Sequence, residues 1–101
     1  MNFILSNEYK LPVDYRFLAP WQRRQVREQY VREQGGKCSH CLEPLTSDAN
    51  KKIISKPVNK KLFPEGFFKY PVHLHHSHKN GMTIGAVHCI CNAVLWQYHG
   101  E

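Results

Sequence analysis

Val72-His73-Leu74-His75-His76-Ser77-His78-Lys79-Asn80-Gly81 is the stretch on which the reading of this chain turns. Val72 to His75 alternates apolar and polar residues as a half-buried strand does, and Asn80-Gly81 is a strong two-residue signal for a type I′ hairpin turn. Met82 to Val87 follows as the returning strand. Asn92 then opens a short helix over Ala93 to His99, which Gly100 ends. Such a helix does not stand alone in water, so it must pack on the hairpin or be anchored by another group. Four histidines within six residues, His73, His75, His76 and His78, are hard to explain as core packing. Neighbours in a regular strand point to opposite faces, so His75 and His76 address one substrate only if the strand ends or bulges between them. One imidazole could then bind a divalent ion while the next acts as general base near neutral pH.

On either side of this stretch lie two pairs with one spacing. Cys38-x-x-Cys41 and His88-x-x-Cys91 together make a Cys3His set of the kind that holds zinc in a tetrahedron. Zn²⁺ there would clamp the end of the N-terminal helix to the hairpin and last helix. Cys89-x-Cys91 would strain a knuckle, so Cys89 is read as a packed small residue; Cys89 or His40 in place of His88 is the alternative ligand choice, and two unligated thiol pairs are the competing reading. Phe67 to Gly100 contains no Asp or Glu, so any further metal site there must use imidazole, thiolate, amide or hydroxyl.

The chain has 101 residues, the size of one domain. Residues 1–19 read as an N-terminal arm whose Phe3, Ile4, Leu5, Tyr15, Phe17 and Leu18 pack on the core. Residues 20–35 read as a helix: Pro20 suits a first turn, Trp21 to Gln34 lacks Gly and Pro, and Gly35-Gly36 stops it. Val26 and Tyr30 share one side of it, and Arg23, Arg24 and Arg27 another; a solvated face with Arg24 pairing to Glu28 is the plainer account of the arginines. Residues 42–70 form a lysine-rich insertion punctuated by Pro44, Pro57 and Pro64, with a short hairpin around Lys52-Ile53-Ile54 and Lys61-Leu62-Phe63 as one form it could take. Lys and Arg number 14 against 8 Asp and Glu, for a net charge of +6. That balance favours a polyanionic partner, with Arg23, Arg24, Arg27, Lys51, Lys52, Lys60, Lys61 and Lys79 as the contact candidates. No apolar run is long enough to span a membrane, and Met1 to Ser6 does not read as a signal peptide, so the expected compartment is the cytoplasm, where cysteines serve as metal ligands rather than disulfides.

Cys38-x-x-Cys41, then His73 to Gly81, then His88-x-x-Cys91-Asn92, in that order, resembles the HNH endonucleases of the ββα-metal fold, especially the branch of phage recombination endonuclease VII and small phage nicking enzymes. The likeness runs from about Cys38 to Tyr98. It departs where His75 stands for a metal-binding Asp, Ser77 for a second Asp and His88 for a zinc cysteine. The resemblance implies an α+β chain with a ββα-metal core over residues 72–99, a structural zinc knuckle and an N-terminal helix. It implies a metal-dependent DNA endonuclease that nicks one strand of a duplex. His76 would be general base on water, and His75 with Asn92 would hold Mn²⁺ or Mg²⁺, with Ni²⁺ a further candidate. His78 would contact the phosphate or orient His76, and His73 would support from behind or merely bond across the hairpin. The protein would be a monomer or weak homodimer in a bacterial host, of phage or prophage origin. A zinc-stabilised nucleic-acid binder without catalysis is the alternative, and a thiol redox protein a distant third.

Overall fold

The structure, a computed structural model, describes residues 8–100, so Phe3, Ile4 and Leu5 lie outside the described residues. Helix α1 spans Pro20–Glu33. Its first turn has no side-chain N-cap at Ala19; instead Gln22 Oε1 reaches back to accept from the Ala19 N–H at 2.8 Å. Gly35 and Gly36, at φ 68° and 77°, end it in the left-handed region, and the Gly36 N–H returns to the Val31 carbonyl at 2.9 Å. Val26, Gln29 and Tyr30 form its buried side, at the three- and four-residue spacing of one helical face.

Strands β1 (Val72–His76) and β2 (Thr83–His88) form an antiparallel hairpin, and helix α3 (Cys89–His99) follows β2 directly. A two-stranded sheet is marginal by itself. Here Val26 and Tyr30 of α1 join Leu74, Ala86, Val87 and Cys91 in one buried cluster, completed by Cys38, Leu45 and Ala49 from the segment after α1. The outer edge of β2 is also covered. Gln34 accepts from the Ala86 N–H at 2.8 Å and donates to its carbonyl at 3.0 Å, while Val13 takes the Thr83 N–H at 2.8 Å and Tyr15 donates to the Gly81 carbonyl at 2.8 Å. The edge therefore has no free ladder to template another strand. The chain is thus a small α+β unit, and among the described residues no helix is long and apolar enough to cross a membrane.

Four local expectations change. The turn is not type I′, which needs two central residues at positive φ; of this pair Gly81 alone is positive, at 77°. Instead Ser77 to Met82 make a longer loop in which the Ser77 hydroxyl accepts from the N–H groups of Lys79 and Asn80, and Asn80 Oδ1 accepts from Met82 at 2.9 Å. Side-chain acceptors replace the tight backbone turn. Helix α3 begins at Cys89 with His88 as N-cap residue, not at Asn92. A helical first turn brings His88 and Cys91 to one side, which the shared zinc spacing requires. Residues 52–63 form no hairpin: α2 (Lys51–Ile54) and a 3₁₀ turn at Lys60–Leu62 stand there. Each is opened by an asparagine, Asn50 and Asn59, whose Oδ1 accepts from the N–H two residues on at 2.9 and 3.1 Å. Finally, no ion pair joins Arg24 to Glu28 among the described residues; the pairs are Arg16–Asp14 and Arg32–Glu8.

Gly81 supports a specific test. A Cβ there would lie 2.7 Å from Asp14 Oδ1 and 2.5 Å from Arg16 Nε, on a left-handed backbone. Gly81→Ala should destabilise the protein by about 1–3 kcal/mol, because strain and clash fall on the Asp14–Arg16 clasp together. An unchanged thermal midpoint would contradict this arrangement of the loop.

Candidate functional site

Two sites emerge. The first is the Cys3His cluster: one ligand atom from each of Cys38, Cys41, His88 and Cys91 lies within 4.8 Å of all the others. Edges of a zinc tetrahedron with these donors are about 3.6–3.8 Å. His88 Nδ1 lies 3.4 Å from Cys41 Sγ and 3.7 Å from Cys91 Sγ. The other ring nitrogen, Nε2, donates to the Pro44 carbonyl at 2.9 Å. That bond holds the proton on Nε2 and leaves the Nδ1 lone pair facing the sulfurs, the outer-sphere arrangement that orients a metal-bound imidazole. A hydrogen bond from Cys91 draws the Cys38 thiol down to about 4, against the opposing effect of burial, with backbone N–H groups of Cys41, His88 and His40 adding to it. Cys91, the donor in that bond, is pushed up. The knuckle ends on Leu42, the one non-glycine residue at positive φ among those described, at 69°. The four residues thus make a cluster that could hold a zinc ion. The ligand choice goes to His88: Cys89 stands apart, its thiol raised by burial, and His40 is exposed.

The second site is a cleft of about 510 Å³ between α1, β1, α3 and the segment before β1. His73, His76, His78 and Asn92 line it together with Tyr15, Arg23 and Arg27, and among the described residues no carboxylate does. Asn92 Nδ2 donates to His73 Nδ1 at 3.1 Å. Burial lowers the His73 pKa, with the charge of Arg27 adding to the effect while backbone carbonyls of Phe67 and Tyr70 oppose it. His76 is stacked on Tyr15, ring centroids 3.8 Å apart and planes 8° from parallel, and the Arg23 guanidinium lies 3.9 Å from the same Tyr15 centroid. At such separations each face of the phenol ring holds one partner. Burial is the main cause of a lowered His76 pKa; the backbone carbonyl of Leu74 opposes it, while the charges of His78, His75 and Arg23 push the same way as burial. His76 Nδ1 is buried without a hydrogen-bond partner among the described residues. His78 is exposed, its ring 5.3 Å from that of His76.

His75 is not in the lining of this cleft and is 5% exposed. The strand register does break between His75 and His76, where a bulge was expected. The extra residue, however, is Ile84 on β2, since His75 faces Gly85 and His76 faces Thr83. A bulge in the partner strand adds twist but leaves the alternation of β1 intact, so His75 and His76 remain on opposite faces. Of the basic candidates, Arg23 and Arg27 reach the cleft; Arg24, Lys51, Lys52, Lys60, Lys61 and Lys79 are exposed outside its lining.

Tyr15 is the cleft residue that the sequence reading took for simple core packing. Its position depends on the Tyr15–Gly81 backbone bond and on the Asp14 cap of the 3₁₀ turn Tyr15–Phe17, where Asp14 Oδ1 accepts from Arg16 N at 3.0 Å. An Asp two residues before an Arg signals that turn but not where its tyrosine lands. Comparison with protein-family models, with curated proteins and with solved structures returns no match to this chain.

Proposed function

We propose that this protein is a metal-dependent HNH-type endonuclease that hydrolyses DNA phosphodiester bonds, nicking one strand, with His76 as general base. The observation that carries the reading is the cleft itself, which gathers a desolvated histidine, two arginines and the His73–Asn92 pair without a carboxylate. A phosphodiester anion suits that wall, because guanidinium groups supply charge-assisted hydrogen bonds and no acid repels it. Arg23 Nε is buried with no acceptor among the described residues, a donor that an anionic oxygen would satisfy. A lowered pKa keeps His76 neutral at pH 7, so it can take a proton from the attacking water.

A divalent ion, Mn²⁺ or Mg²⁺ or else Ni²⁺, belongs to this reading through the resemblance. Bound, it would offset charge on a phosphate oxygen and on the departing oxygen. Asn92 fits as one donor, since its amide nitrogen is committed to His73 and its carbonyl oxygen is a hard ligand. His75, the other expected donor, does not line the cleft as folded. That misfit favours the second reading, a zinc-stabilised nucleic-acid binder without turnover.

Supercoiled plasmid incubated with the purified protein and Mg²⁺, Mn²⁺ or Ni²⁺ separates the two. Open circles that form before any linear product support the nicking nuclease; DNA retention without turnover under every metal rejects it for the binder. The pH profile is a second check. A base with a depressed pKa is lost only as pH falls through that lower value, so the acid limb of cleavage should lie below 6.5, the ordinary imidazole value. An acid midpoint above it would argue against His76. Asn92→Ala tests the third member: no helix cap is lost, and alanine favours helix, so folding should persist while cleavage falls by about 10–100-fold. Full activity in that variant would remove Asn92 from the site.

A further inference from the structure

Besides Val72 and Leu74 of β1, the cleft is lined by Leu62, Phe63, Pro64, Phe67, Tyr70 and Trp96, a wall for which hydrolysis has no use. Phe63 packs at 4.7 Å from Phe67 and edge-on to Trp96 at 5.5 Å, while Phe67 meets His73 edge-on at 4.6 Å. The aromatic wall thus begins at the His73–Asn92 pair. It is fixed to α3 by polar contacts: Tyr98 donates to the Pro57 carbonyl at 2.6 Å, Gln97 donates to the same carbonyl at 3.1 Å, and Gln97 Oε1 accepts from the Asn59 N–H at 2.9 Å. Aromatic rings in a core would be sealed, but Trp96 is 39% exposed and Tyr70 61% exposed.

We propose that this wall is a stacking platform for an unpaired nucleobase, so that the protein grips single-stranded or locally unstacked nucleic acid with phosphate at Arg23 and Arg27 and a base on Trp96 and Tyr70. The inference rests on the nucleic-acid part of the proposed function and narrows its substrate class. In a duplex each base hides its faces against its neighbours and offers only edges, which flat aromatic side chains cannot read. An unstacked base offers a π-face, and cationic groups beside aromatic rings are the common solution for holding single strands. The combination here, guanidiniums and rings in one carboxylate-free cleft, matches a nucleotide in both its parts. An apolar protein segment would match the rings alone.

Binding is measured with no added divalent ion, so turnover plays no part. The chain has two tryptophans, and Trp21→Phe, at an exposed position, leaves Trp96 as the fluorescent reporter. The probes are oligodeoxythymidylate of about 12 nucleotides, its duplex with oligodeoxyadenylate, and an abasic strand of the same length. The single strand should quench Trp96 and bind more tightly than either other probe. In the Trp-complete protein, Trp96→Ala and Tyr70→Ala should each weaken single-strand binding by about 5–100-fold and leave duplex binding within about 2-fold, with Trp96→Phe restoring most of the loss. Tyr70→Ala keeps the test decisive should Trp96→Ala fold poorly, because Tyr70 is mostly solvent-facing. Equal affinity for single strand, duplex and abasic strand, or retained single-strand affinity in Tyr70→Ala together with no Trp96 quenching in the Trp21→Phe protein, overturns the platform. Cleavage is read separately: a nuclease with no single-strand preference sinks this inference only, and a single-strand binder that cuts nothing sinks only the nuclease.

Discussion

A strong chelator should unfold the zinc-loaded protein, and Cys38→Ser or Cys91→Ser should yield a chain without fixed tertiary packing. The reason lies in what the cluster joins. Cys38 and Cys41 lie on the segment after α1, His88 ends β2 and Cys91 lies in the first turn of α3, so one ion would tie three parts of the chain. Cys38 and Cys91 also belong to the buried core, where neither has a disulfide partner. Structural zinc contributes apparent binding free energies of about 10–16 kcal/mol in small domains, as large as the whole stability of a typical domain at about 5–15 kcal/mol. Without the ion, three cysteine side chains, an imidazole and the left-handed Leu42 are crowded together with no metal–ligand bonds to offset the crowding. Elemental analysis should find one zinc per chain, and near-ultraviolet circular dichroism should collapse in chelator and recover on adding zinc. Cys89→Ser and His40→Ala should keep both metal and fold, since neither side chain enters the cluster. A native spectrum and unchanged melting in chelator would sink the structural role of zinc.

In the proposed nuclease, His76→Ala should lower plasmid cleavage by about 10²–10⁴-fold while leaving the melting temperature within a few degrees. Loss of the base removes the group that accepts the proton of the attacking water, and no other histidine of the cleft can replace it. His73 Nδ1 is occupied by Asn92, and His78, though 5.3 Å away, is exposed and keeps no contact with Tyr15. The fold should tolerate the change because His76 sits at the end of β1 and meets Tyr15 only through its ring face. Wild-type rates from His76→Ala would end its role as base. Tyr15→Leu separates position from chemistry: it removes the stacking surface, so cleavage should fall while the His76 imidazole remains available to titrate.

Much of this arrangement could be read along the chain. The alternation Val72-His73-Leu74-His75 predicted β1, the Gly- and Pro-free run after Pro20 predicted α1, and the matched x-x spacings predicted the Cys3His cluster, with His88 preferred over Cys89 and His40. These signals are local: strand period, helix period and ligand spacing are each written within a few residues. Where local signals competed, reading along the chain erred. Asn80-Gly81 carries the composition of a type I′ turn, but Ser77 and Asn80 side chains supply other acceptors. The pattern at Lys52-Ile53-Ile54 left a hairpin open as one form, and Asn50 before it caps a short helix instead.

The sequence by itself determined the α+β class, the Cys3His cluster that could hold zinc and the histidine-rich strand, because each depends on contacts close in the chain or on a spacing that one ion would enforce. Only the tertiary structure decided which of those histidines share a cleft. His73 meets Asn92 across 19 residues and His76 meets Tyr15 across the pairing of the arm with β2, whereas His75 is turned away because the bulge falls on Ile84 rather than within β1. Which strand takes an extra residue, and which ring lands on which face, depends on packing between segments distant in sequence, and no pattern within a segment encodes it.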